Sequence, residues 1–146
     1  MILRQTPMMV RGPDRWGSGE YGASRDRGRR RHHGVDLVCE AGDVILSPVS
    51  GVVTKIGFPY NPDGPKGHKR YIQVTDDGGL NHRFFYTDAL ADVGRNIEKG
   101  QPLAKAQGLQ DIYPGITDHI HYEIKRPDGS FIDPTPIVMG NAHADS

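Results

Sequence analysis

Residues 43–58 read DVILSPVSGVVTKIGF. Two short apolar runs, both rich in β-branched residues, flank a Ser-Pro-Val-Ser-Gly turn. Neither run reaches the three turns of an ordinary helix, and Pro48 removes a backbone donor between them. The stretch therefore predicts two β-strands. The same texture extends in both directions: VDLVC at 35–39, RYIQVT at 70–75, HRFFYT at 82–87, QPLAKA at 101–106 and HIHYEI at 119–124. With 19 Gly and 11 Pro to supply turns, the chain reads as all-β. NPDGPKGHK (61–69) and GLQDIYPGITD (108–118) read as loops at the rim of a site. EAGDVILSPVSGVV and DVGRNIEKGQPLAKA echo one another, each setting an apolar strand beside a Gly-containing turn and a Pro. That echo suits two hairpin-like halves of a sandwich or flattened barrel.

A chain of 146 residues supports one domain with tails. Residues 1–31 hold eight Arg against three acids and lack an apolar period, so they read as a basic arm, draped on the domain or flexible. Residues 32–138 form the domain, and MGNAHADS at 139–146 is a tail. Lys plus Arg equals Asp plus Glu at 18 each, which argues against nucleic acid as the partner. RDRGRRR at 25–31 carries no interleaved aromatics and reads as a solvated run. Trp16 and Tyr21 read as pins for the arm, with a sugar-stacking platform as the rival. No stretch approaches the ~20 apolar residues of a membrane span. The opening MILRQTPMMVRGPDRW lacks the apolar core of a secretory signal, so Sec-type export is not expected. The single cysteine, Cys39, reads as a small packed residue.

Four of the seven histidines fall in two tight groups, RHHGVD at 31–36 and DHIHYE at 118–123. On a strand, residues two apart share a face, so His119 and His121 project imidazoles into one space. His32 and Asp36 can reach the same ion if Gly34 lets the chain bend. Two nitrogens and a carboxylate, with a fourth position left to water, match a catalytic zinc site. His32, Asp36 and His121 are the expected ligands of one Zn2+ per chain, and His119 is a nearby base. His33 reads as solvent-facing or supporting, while His68 and His143 sit where nothing else converges.

HHGVD followed by HIHYE resembles the zinc signature of the lysostaphin-type M23 metallopeptidases, and GDVILSPVSGVVTKIG and VGRNIEKGQPLAK resemble that family's strands. The resemblance covers roughly Arg31 to Pro134. It implies an antiparallel β-sandwich built on a duplicated hybrid motif, one zinc, and endopeptidase cleavage of bacterial peptidoglycan. It also implies His119 as general base or transition-state stabiliser. The family's second active-site histidine aligns with Asp88, a carboxylate that accepts protons but donates only when protonated. His82 is the candidate replacement, since strict alternation gives it the face of Tyr86.

RHHGVDLVCEAG with LQDIYPGITDHIHYE is further similar to the family's vertebrate chemotaxin-like branch, which keeps the ligands and lacks the same histidine. A catalytically impaired, zinc-stabilised binding module is therefore the alternative. A lipoyl-like carrier domain explains GDVILSPVSGVV but not the histidines. For a wall-directed enzyme without an export signal, the expected setting is the cell wall or periplasm. Delivery would be by lysis, by a phage particle or by a secretion machine, with virion or secretion-machine proteins as partners.

Overall fold

The structure, a computed structural model, describes residues 9–14, 17–25 and 30–138. Among these residues it places twelve strands: β1 (Ser24–Arg25), β2 (Arg30–Arg31), β3 (Val35–Val38), β4 (Val44–Leu46), β5 (Gly51–Gly57), β6 (Tyr71–Asp76), β7 (Asn81–Phe85), β8 (Thr87–Ala89), β9 (Asn96–Ile97), β10 (Pro102–Ala106), β11 (His119–Lys125) and β12 (Phe131–Ile132). Each of the seven apolar runs contains a strand, and all pairings are antiparallel. The main sheet runs β12-β11-β7-β6-β5-β9, with β3 also paired to β11, and a smaller sheet runs β4-β10-β8.

The two echoing segments pair with each other instead of forming separate halves. Strand β4 lies beside β10, and β5 beside β9. Their apolar side chains enter one core with those of the main sheet. Ile45, Val53, Ile97 and Leu103 are all buried with Val35, Leu37, Ile72, Phe84, Ile120, Tyr122 and Ile124. Cys39 is packed into the same core, 3% exposed.

Alternation divides the main sheet into a core face and a groove face. On β11, Ile120, Tyr122 and Ile124 point to the core, while His119, His121 and Glu123 point away from it. Register then brings chemistry from three strands together: His121 is the cross-strand partner of Asp36 on β3 and of Phe85 on β7. His82 faces the core, fully buried, where its Nδ1 meets the Tyr122 hydroxyl at 2.7 Å and its Nε2 meets Asp76 at 2.8 Å. Tyr86 does not share the face of His82, because β7 ends at Phe85 and Tyr86 adopts φ 70°, the one positive φ outside glycine among the described residues. That twist turns Tyr86 into the groove without His82.

Candidate metal centre

The groove face ends in a cavity of about 520 Å³. His32, Asp36, His119 and His121 line it together. His32 Nε2 lies 2.9 Å from His121 Nδ1, and Asp36 Oδ1 lies 3.0 Å from each. Two ligands on a tetrahedral zinc with roughly 2.0 Å bonds stand about 3.3 Å apart, close to the edges of this triangle.

The protons of both imidazoles are directed outward. His32 Nδ1 donates to the Glu20 carbonyl at 2.9 Å, and His121 Nε2 donates to Glu123 Oε1 at 2.9 Å. A carbonyl or an ionised carboxylate only accepts, so Nε2 of a neutral His32 and Nδ1 of a neutral His121 carry lone pairs. With both rings neutral, three electron-pair donors converge within contact of one another, an arrangement that suits a cation. Burial opposes ionisation of Asp36, but hydrogen bonds with His121 and His32 outweigh it and hold the carboxyl well below the usual range. Burial pulls His121 down, and its bonds to Asp36 and Glu123 overcome that and push it up to about 9, so a cation taken at Nδ1 would displace a proton from the ring.

His119 sits one step outside the triangle. Its Nδ1 donates to the Thr117 carbonyl at 2.8 Å, leaving Nε2 3.4 Å from Asp36 Oδ2. Burial lowers its pKa against the pull of Asp36, which favours the neutral ring, and the side chain lines the same cavity as the triangle. Tyr86 meets it edge-on, with ring centroids 5.8 Å apart.

Both expected loop segments lack regular strand or helix and are tied to each other beside the groove. Tyr60 bridges Tyr86 and Tyr113 through its hydroxyl, at 2.9 and 2.7 Å. Buried Lys69 donates to Gly108 O at 2.7 Å and Asp111 Oδ1 at 3.0 Å, pinning one loop to the other. His68 joins this pin through Asp111 Oδ2 at 2.6 Å.

Asp88 is not brought to the site. It is exposed on β8, is absent from the cavity lining, and its Oδ1 accepts from Gln107 Nε2 at 2.9 Å. The cause is the pairing of β8 with β10 in the smaller sheet, which aligns Asp88 with Lys105. His33 is exposed and stacks on Phe131 at 4.2 Å. Tyr21 packs against the core, whereas Trp16, His143 and the tail lie outside the described residues.

The sequence reading missed Arg11. This residue is 2% exposed and sends Nε and Nη2 to one oxygen, Asp36 Oδ2, at 3.1 and 3.0 Å. Its backbone N–H donates to the Asp36 carbonyl at 2.7 Å, and Val10 bridges Leu37. An isolated arginine in a segment without apolar period gives little local signal. The nearest hint is the glycine pair around Ser18: a Cβ on Gly19 would stand 2.5 Å from Arg11 Cβ and 2.8 Å from Asp36 Cβ.

The family model for peptidase family M23 matches residues 30–134. The chain belongs to peptidase family M23. As an M23 protein it is 33% identical to leukocyte cell-derived chemotaxin-2 of Mus musculus over 120 residues, covering 78% of this chain and 72% of the mouse protein. The M23 fold is seen again in the catalytic domain of the antimicrobial peptidase lysostaphin from Staphylococcus simulans. That match has TM-score 0.64 and 18% identity, and covers 84% of this chain and 91% of that one. A prophage-encoded M23 protein, EnpA from Enterococcus faecalis, matches with TM-score 0.55 and 20% identity over 81% and 87% of the two chains.

Proposed function

We propose that the chain is a zinc-dependent endopeptidase that hydrolyses peptide bonds in bacterial peptidoglycan. The observation that carries this reading is His119 lining one cavity with a triangle of converging ligand atoms, His32 Nε2, Asp36 Oδ1 and His121 Nδ1. Zinc bound by those three residues supplies Lewis-acid polarisation of a carbonyl and acidifies water. His119 accepts the proton of the attacking water and returns it to the departing amine. Tyr86, kept protonated by its burial, packs its ring against His119, and its hydroxyl meets that of Tyr60 at 2.9 Å. Peptide enters along the groove face of the main sheet, beside the joined rim loops.

Action on a wall places the protein outside the cytoplasm, at the cell wall or periplasm. No helix among the described residues is long and apolar enough to cross a membrane. Delivery by a phage particle or lysis pathway is the setting we favour. A prophage-encoded protein of the same fold supports that setting.

One observation favours a second reading, a zinc-stabilised module that binds peptide without cutting it. The position aligned with the family's second histidine is Asp88, and its carboxylate turns to Gln107. The 33% identical mouse relative is, moreover, named as a chemotaxin. Release of amino groups from purified peptidoglycan, abolished by a chelator and restored by zinc, supports the enzyme. Stoichiometric zinc with no release supports the module.

A further inference from the structure

We infer that Arg11 is a positioning residue of the metal centre, holding Asp36 as a one-oxygen ligand. The inference rests on the zinc reading above and concerns a segment that precedes the family match, which begins at residue 30.

The Asp36 carboxylate has two oxygens with opposite surroundings. Oδ1 faces His32 and His121 at 3.0 Å. Oδ2 takes both the Nε and the Nη2 protons of Arg11. A guanidinium fork ordinarily spans both oxygens of a carboxylate. Here it closes on one, so that oxygen is engaged and the other is left for the ion. Arg25 Nη2 stands 3.7 Å from the same Oδ2 and adds positive charge on that side.

Arg11 is itself held. Its Nη1 donates to Asp14 Oδ1 at 2.8 Å and to Gly17 O at 2.7 Å, so the guanidinium cannot swing away without breaking both. Gly19 N donates to Arg11 O, and Asp36 N donates to Gly19 O, which laces the segment to β3. From this same segment the Glu20 carbonyl fixes the tautomer of His32. Two of the three ligands are therefore oriented by Arg11 and Glu20, and this part of the arm belongs to the site. Outer partners of this kind set ligand orientation and metal affinity.

The test uses the full chain, loaded with zinc or with cobalt(II) as a visible probe. Arg11→Met should weaken zinc binding by roughly 10- to 100-fold. It should also let the second oxygen reach the ion, raising the coordination number and weakening the visible cobalt bands. Arg11→Lys, which still donates to Oδ2, should restore the wild-type spectrum in large part. A folded Arg11→Met with wild-type zinc affinity and an unchanged cobalt spectrum overturns the inference. If Arg11→Met does not fold, Asp14→Ala decides, because it keeps Arg11 and removes one of the two acceptors that hold its far end. Zinc binding weakened by about threefold or more supports the inference, and unchanged binding overturns it. A wild-type chain that takes up no zinc overturns the metal reading and this one with it.

Discussion

His119 Nε2 lies 3.4 Å from Asp36 Oδ2, close enough to serve the ion's surroundings and outside the ligand triangle. This separation predicts that His119 can be removed without losing the metal. His119→Gln should retain zinc at one per chain and lower cleavage by about 10²- to 10⁴-fold. Metal analysis and amino-group release on the same preparation check both halves. Loss of zinc in this variant would instead make His119 a ligand.

Gly34 predicts a tighter coupling between backbone and metal. A Cβ there would run into the Tyr122 carbonyl oxygen and stand 2.9 Å from His121 Cε1. Gly34→Ala should cost about 3 kcal/mol, roughly 10 °C in Tm, because the obstacle is a strand backbone that cannot yield. Zinc affinity should fall as well, since the clash displaces a ligand ring. Thermal denaturation with and without zinc measures the two effects separately.

His82 predicts a pH-dependent part of the stability. Burial depresses its pKa, against the bond to Asp76. Between that lowered value and roughly 6.5, the unfolded chain binds a proton that the folded chain refuses. This contribution is complete above about pH 6.5 and is lost as the pH falls through the folded value. Asp76 acts in the same sense at lower pH: burial raises its pKa, but bonds to His82, Leu80 and Gly78 outweigh burial and lower it. His82→Gln should lose about 2 kcal/mol near neutral pH by leaving Tyr122 or Asp76 unmatched. It should also flatten the decline in Tm between pH 7 and about pH 5. An equal decline in both proteins would assign that slope to other groups.

Much of the site was legible because strand alternation and the two histidine motifs act over short distances. His-Ile-His at 119–121 needed only the period of two to place both rings on one face, and Asp36 then fell opposite His121 by register. The rim loops were legible from Pro and Gly alone. Three features were hidden for physical reasons. Arg11 reaches a partner 25 residues away through side-chain geometry, with no periodic pattern to mark it. The left-handed backbone at Tyr86 reverses which residues share a face, and nothing about a tyrosine announces a positive φ. Asp88 leaves the groove because β8 joins the smaller sheet, a pairing set by tertiary contacts with β10.

The central claim is that these converging donors and His119 cut peptide bonds, and peptidoglycan itself tests it most directly. Metal-analysed protein carrying one zinc would be incubated with purified peptidoglycan, and the soluble fragments read by mass spectrometry for newly exposed amino termini. The account predicts fragments with new amino termini from the wild type, none after chelation, and recovery when zinc is returned. Full zinc occupancy with peptidoglycan left intact would contradict it, and would make the groove a place where peptide is held and not cleaved.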